Sequence, residues 1–143
     1  MAKNIEIYNP DNEICYPKAS WGNLDSKPSF YTAHTYAISG DIAVPSGGTD
    51  YIVPFYMPVK AGTTVKLISV RYSIYSGTSA TIKLTQNGSD ITGFTDMSAT
   101  TTDTTTDSTD VSISNMDEIA LVVTAVSGSP TNLTCTLIFE VQL

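Results

Sequence analysis

From residue 36 onward the sequence consists of short segments in which apolar and polar residues alternate, with turn signals between them. Residues 36–44 and 80–85 alternate with a period of two, which is typical of strands with one buried face. Asn87-Gly88, between two such segments, is a strong signal for a β-hairpin. About eight segments of this kind follow one another, and none has the period of a helix. The sequence therefore predicts an all-β fold: an antiparallel two-sheet β-sandwich, jelly-roll-like and of about eight strands, with an immunoglobulin-like sandwich as the alternative.

Three segments are more specific about strand positions. In residues 64–75 the apolar residues change parity between Leu67 and Ile68, which predicts a bulge, because a one-residue shift turns a strand over. Pro54 has no N–H to donate, so its strand is expected at a sheet edge or a bulge. Residues 119–126 are almost continuously apolar, which predicts a central strand covered on both faces. The predicted core includes Ile38, Ile42, Ile68, Val70, Ile82, Leu84, Leu121, Val123, Leu137 and Phe139.

Residues 1–34 follow neither a strand period nor a helix period, although they contain large apolar residues. Free disorder does not fit this composition, because disordered tails are poor in aromatic and β-branched residues. We therefore predict an irregular, extended N-terminal arm at residues 1–34 and a β-sandwich domain at residues 35–143. The apolar side chains of the arm need a partner surface. The predicted partner-binding residues are Ile14, Tyr16, Trp21, Phe30 and Tyr31.

The net charge of −7 and its distribution argue against several partners. Seven basic residues stand against 14 acidic ones, and the last basic residue is Lys83. A nucleic-acid-binding protein needs an excess of positive charge. No apolar run approaches the ~18–20 residues of a membrane span, and the start has no stretch of signal-peptide type. The sequence therefore predicts that the protein binds no nucleic acid and no membrane and does not follow the secretory route.

Residues 98–110 are mostly Thr, Ser and Asp, which predicts a polar loop or a solvated edge strand.

The residues capable of catalysis or metal binding form no known pattern. His34 is the one histidine, and nothing beside it would activate it. Two carboxylates would suffice for glycoside hydrolysis, but most of the acidic residues lie in turns or polar segments. Asp103, Asp107 and Asp110 could bind calcium, yet they lack the glycine and terminal glutamate of an EF-hand loop. We therefore predict no catalytic residue, no cofactor, no metal site and no enzyme activity.

Three further features have structural explanations. The two cysteines, Cys15 and Cys135, cannot build a disulfide framework, and Cys135 is predicted to be a buried thiol. Arg71, the one arginine, is predicted to form a cross-strand salt bridge, with contact to a partner subunit as the alternative. Aromatic residues in strands, such as Tyr56 and Tyr75, are typical of the edge of a core or of a subunit interface. A sugar-binding platform is the alternative interpretation of these residues.

Residues 69–93, together with residues 117–124 and 127–134, resemble small β-sandwich structural proteins of tailed bacteriophages. These include capsid decoration (cement) proteins and the head domains of tail fibres. The similarity lies in hairpin and turn sequences over about residues 36–143, so no functional residue is carried over from it. It implies a virion component that is made in the host bacterial cytoplasm.

The N-terminal arm favours a cement protein over a fibre head, because the chain has no shaft repeat and no coiled-coil heptads. We expect a protein on the capsid surface that stabilises the outer shell. Its expected partners are the major capsid protein and copies of itself, with a trimer placed ahead of a dimer. The alternative function is a receptor- or glycan-binding head module of a phage tail fibre.

Overall fold

The computed structural model describes residues 7–8, 14–15, 28–44 and 53–143. The secondary structure in these ranges is entirely β, and they contain no helix that could cross a membrane. The strands are β1 (Ile7–Tyr8), β2 (Ile14–Cys15), β3 (Ser29–Asp41), β4 (Val53–Met57), β5 (Thr64–Ser76), β6 (Ser79–Gln86), β7 (Ser89–Asp90), β8 (Met97–Ala99), β9 (Thr104–Ile113), β10 (Asp117–Ser127) and β11 (Thr131–Gln142).

Two antiparallel sheets pack face to face as a β-sandwich. One has four strands in the order β3-β11-β5-β9, and the other has the order β4-β10-β6-β7, with β8 also pairing with β6. From β3 to β6, and again from β9 to β11, successive strands alternate between the two sheets, which is the connectivity of a jelly roll. The predicted fold class is therefore confirmed.

The long strand β5 lies inside the four-stranded sheet, between β11 and β9. On β11, Phe139 pairs with Leu67. The adjacent Ile138 pairs with Ser69, so Ile68 is an extra residue with no counterpart on that strand. The predicted bulge is confirmed, and apolar side chains on both sides of it face the core.

The space between the sheets is filled by one apolar cluster to which both sheets contribute. All the predicted core residues are buried except Ile38 and Ile68, which are half-buried. Ile68 is the extra residue of the bulge, so its side chain takes no regular inward position. Ile38 belongs to the edge strand β3, where it packs against the core without being enclosed by a further strand.

The central position of β10, the edge position of Pro54 and the Asn87-Gly88 hairpin are confirmed. Strand β10 lies between β4 and β6, and its residues 119–123 are all at most 2% exposed. The predicted cover on both faces is wrong for the end of the apolar run, since Ala125 and Val126 are exposed. Pro54 lies in β4, an edge strand of its sheet. Asn87 and Gly88 have φ values of 51° and 80° and form the hairpin between β6 and β7, because the tight turn needs positive φ at both positions.

The N-terminal boundary differs from the expected one. Strand β3 begins at Ser29, so residues 29–34 belong to the sandwich, where they continue the pairing with β11 as far as Gln142. The preceding residues that are described form a short antiparallel pair, in which Ile7 lies opposite Cys15 and Tyr8 opposite Ile14. We call residues 1–27 the N-terminal segment.

Residues 98–110 contribute to two strands. They include most of β8 and the larger part of β9, which pairs with β5 from Thr104 opposite Tyr72 to Ile113 opposite Val65. The prediction of a solvated edge strand is the correct alternative. The loop is confined to residues 100–103, since β9 begins at Thr104.

A hydrogen-bonded network around Asp117 joins the turn before β10 to the β6–β7 hairpin. The Asp117 carboxylate accepts hydrogen bonds from the Ser114 N–H (2.7 Å), Gln86 Nε2 (2.6 Å) and Asn87 Nδ2 (2.7 Å). The hydrogen bond from Asn87, followed by those from Ser114 and Gln86, holds the pKa of Asp117 below its ordinary value of 3.8. The charged form of Asp117 therefore stabilises this end of the sandwich.

We expect deletion of Ile68 to be far more destabilising than Ile68→Ala. Without the extra residue, Val65 and Leu67 would turn toward solvent if the remainder of β5 kept its place. Exposing two such side chains costs about 3–6 kcal/mol, whereas truncating one half-buried side chain costs about 1–2 kcal/mol. Urea denaturation of both variants measures the difference. Equal destabilisation would contradict the role given to the bulge.

The stabilising effect of Asp117 should depend on pH. Its pKa is lower in the folded protein than in the unfolded chain, so the stabilisation is complete above the ordinary value and is lost as the pH falls through the folded-state pKa. Asp117→Asn should therefore lower the free energy of unfolding by about 1–2 kcal/mol at pH 7 and by much less near pH 2. Denaturant titrations across this range test it. The exposed Asp96→Asn serves as the control and should change the free energy of unfolding by less than about 0.5 kcal/mol at pH 7.

Candidate functional site

An apolar hollow lies where the chain enters β3 and leaves β11. The two ends run side by side, and the Leu143 N–H donates to the Pro28 carbonyl at 3.3 Å. The hollow has a volume of about 300 Å³, and we call it the terminal hollow. Its lining comprises Phe30, Met57, Pro58, Val59, Lys60, Thr63, Val65, Val141 and Leu143. Phe30 is 49% exposed and Leu143 is 42% exposed, so a large apolar surface remains open to a partner.

Two of the predicted partner-binding residues, Phe30 and Tyr31, lie on different faces of the sandwich. Phe30 and Tyr31 are neighbours in β3, so their side chains point to opposite faces of the sheet. Phe30 lines the terminal hollow, whereas Tyr31 is 66% exposed. Ile14 lies in β2, opposite Tyr8. Tyr16 and Trp21 lie outside the described residues.

The outer face of the four-stranded sheet carries mainly small hydroxyl and methyl side chains. Successive rows across the sheet place Ala33 beside Ile138, Thr35 beside Thr136, and Ala37 beside Thr134. The hydroxyls of Thr35 and Thr136 are hydrogen-bonded to each other at 2.9 Å. Such side chains leave the sheet surface shallow and open, and we call it the outer sheet face.

Two adjoining hollows occupy the outer sheet face. One, of about 420 Å³, includes Tyr75 and Asn132, and the other, of about 390 Å³, includes Arg71; Ser73 and Thr134 line both. Tyr75 is 80% exposed at one end of this surface. Tyr56, on β4, is 50% exposed, but its hydroxyl donates to Glu118 at 2.8 Å. Tyr75 is an exposed aromatic residue that borders a hollow of the outer sheet face, so a flat ligand in that hollow could stack on its ring.

Arg71 forms the predicted surface salt bridge, with Asp103. A hydrogen bond from the Ser73 hydroxyl, and then the hydrogen bond and charge of Arg71, hold the pKa of Asp103 below its ordinary value. Both side chains are more than half exposed. The pair therefore adds little to stability, but it fixes a guanidinium at the edge of the hollow of about 390 Å³.

His34 and Cys135 have structural roles in the sandwich. The His34 ring stacks on Phe55, with centroids 3.9 Å apart, and meets the edge of Tyr36 at 4.9 Å. Burial lowers the pKa of His34, which favours the neutral imidazole. Cys135 is fully buried, and burial raises the pKa of its thiol to about 12. The prediction of a buried thiol is confirmed.

An open cleft of about 650 Å³ lies between β7 and β9 and includes two carboxylates, Asp90 and Asp107. Asp90 forms an ion pair with Lys83 at 2.8 Å, and both carboxylates belong to exposed residues. Asp103 is paired with Arg71, away from this cleft. Among the described residues, no group of three or more His, Cys, Asp or Glu side chains is placed to hold a metal ion.

Sequence reasoning did not single out the contribution of Leu143 and Val59 to the terminal hollow. The two residues come from distant parts of the chain, so no local pattern connects them. The position of Tyr75 did have a signal. It has the same parity as Arg71 and Ser73, opposite to the buried residues Tyr72 and Ile74, and this parity places it on the outer face.

No protein-family model matches the chain, and no curated protein matches it in sequence. Among solved structures, it is similar to the native structure of a family 35 carbohydrate binding module from Clostridium thermocellum. That similarity has a TM-score of 0.37 and 16% sequence identity, and it covers 76% of this chain and 97% of the module.

Proposed function

We propose that this protein is a non-enzymatic structural component of a bacteriophage virion, a capsid decoration protein that binds the outer shell. In this proposal, the protein is made in the host cytoplasm and then binds the major capsid protein on the capsid surface. The observation that carries the proposal is the terminal hollow, where the N-terminal segment joins the sandwich beside the half-exposed side chains of Phe30 and Leu143.

Burial of apolar side chains provides the binding energy in this proposal. Each large side chain removed from water contributes roughly 1.5–3 kcal/mol. Tyr16 and Trp21 of the N-terminal segment, together with Phe30, supply several such side chains close together in the sequence. Repetition of this contact over many copies on a shell would resist its expansion.

Trp21→Ala and Phe30→Ala should each weaken binding to capsids that lack this protein by about 10–100-fold, because each removes one aromatic anchor. Titration of purified capsids with the labelled protein measures the affinity. Tyr75→Ala changes a side chain of comparable size on the outer sheet face, and it should bind like the unchanged protein. Unchanged affinity in both anchor variants would contradict the proposal.

A second candidate function is a receptor- or glycan-binding head module of a phage tail fibre. The observation that favours it is Tyr75, 80% exposed beside a hollow that also includes Ser39, Thr101 and Asn132. An aromatic ring can stack on the apolar face of a sugar, while hydroxyl and amide groups bind its hydroxyls. The net charge of −7 disfavours acidic polysaccharides, so the fitting ligands are neutral.

If the outer sheet face binds sugars, Tyr75→Ala should reduce binding to neutral hexose oligosaccharides by at least about 10-fold, since one stacking contact is lost. An array of immobilised neutral oligosaccharides, followed by calorimetry on any positive, tests this. Phe30→Ala is the matched control and should leave sugar binding unchanged. The site would be excluded if the unchanged protein bound no oligosaccharide, or if both variants lost binding equally.

A further inference from the structure

The two sheets have four edges in the described part of the chain, and three of them are interrupted. Strand β4 has five residues and includes Pro54. The opposite edge of that sheet consists of β7 and β8, which have two and three residues. On β9 the pairing with β5 shifts between Leu67 and Ser69, and the edge carries the charge of Asp107. Short strands, prolines, bulges and charges are the features that prevent an edge from pairing with another chain.

The fourth edge, β3, has none of these features over most of its length. Its pairing with β11 is continuous from Ser29 to Ile38, and the register shifts only beyond that point. Between Ser29 and Gly40 it contains no proline, lysine, arginine, aspartate or glutamate. Among the described strands β3 pairs with β11 alone, so one side of its backbone presents free hydrogen-bonding groups.

We propose that β3 pairs antiparallel with β3 of a second copy of this chain, around a two-fold axis at Thr35. The two four-stranded sheets then form one continuous eight-stranded sheet. An axis at Thr35, the midpoint of Ser29–Asp41, gives the greatest overlap between the two strands. It places Ala33 opposite Ala37 of the second copy, and Tyr31 opposite Ser39.

A second copy suits this edge in geometry and in charge. An antiparallel edge is complementary to itself, because each strand supplies the donors and acceptors that the other needs. Side chains opposite one another lie on the same face, so both sandwiches keep their cores on one side of the joined sheet. Each chain carries a net charge of −7, and an edge without charged side chains allows two such chains to approach.

A two-fold axis closes the assembly at two copies. The proposal therefore favours a dimer over the trimer that the sequence placed first. It concerns the body of the molecule and does not depend on whether the protein decorates a capsid or binds a glycan.

The test uses the full chain and two double variants at exposed positions of the outer sheet face. In Ala33→Lys/Ala37→Lys, every lysine lies opposite a lysine of the second copy. In Ala33→Lys/Ala37→Glu, every lysine lies opposite a glutamate. Like charges opposite one another oppose pairing and opposite charges favour it. Thr105→Lys adds a charge to the edge strand β9 and is the control. Circular dichroism and thermal melting verify that each variant folds.

Light scattering and sedimentation at micromolar concentration measure the mass of the assembly. For the unchanged protein and the Thr105→Lys variant, this mass should be twice the 15.3 kDa of one chain. The Lys/Lys variant should dissociate on the order of 100-fold more readily, and the Lys/Glu variant should recover most of that loss. A monomer or trimer for the unchanged protein would overturn the proposal. So would a Lys/Lys variant that remains as dimeric as the control, or a folded Lys/Glu variant that recovers nothing.

Discussion

Ile68 is the extra residue of a bulge in β5, and the packing of the sandwich depends on it. Strand β5 pairs on both sides, so its side chains cannot turn over without disturbing β11 and β9. The bulge allows Leu67 before it and Val70 after it to face the core, and both are completely buried. One long strand can therefore span the whole sheet while keeping its apolar residues inside.

The two sheets are also connected by polar contacts that complement the apolar core. Inside the sandwich, the Tyr36 hydroxyl donates to the Ile119 carbonyl across the gap between the sheets at 2.7 Å. Near the surface, Asp117 and Asn87 hold the turn before β10 against the β6–β7 hairpin. No buried side-chain nitrogen or oxygen of the described residues lacks a hydrogen-bond partner. The core of the described part therefore carries no unsatisfied side-chain group that would weaken it.

The candidate binding surfaces of this body lie at separate places. The terminal hollow is apolar and adjoins the N-terminal segment, whereas the outer sheet face is polar and carries the exposed ring of Tyr75. Successive side chains of β3 point to opposite faces of the sheet, and this separates the two surfaces. Phe30 contributes to the terminal hollow, whereas its neighbour Tyr31 points away from that hollow. A single protein can therefore attach through one surface while the other stays accessible. The edge of β3 is a third surface, at which we propose pairing with a second copy of the chain.

The sequence by itself determined the fold class, the bulge at Ile68, the edge position of Pro54 and the central place of β10. These features follow from side-chain alternation, from the missing N–H of proline and from continuous apolar runs, all of which are local. Only the tertiary structure decided that residues 29–34 belong to the sandwich, because their pairing partner, β11, lies a hundred residues further along the chain. It also decided the terminal hollow, which joins Phe30, Val59 and Leu143 from three distant segments. Contacts between such distant segments depend on how the sheets pack, and no local pattern records them.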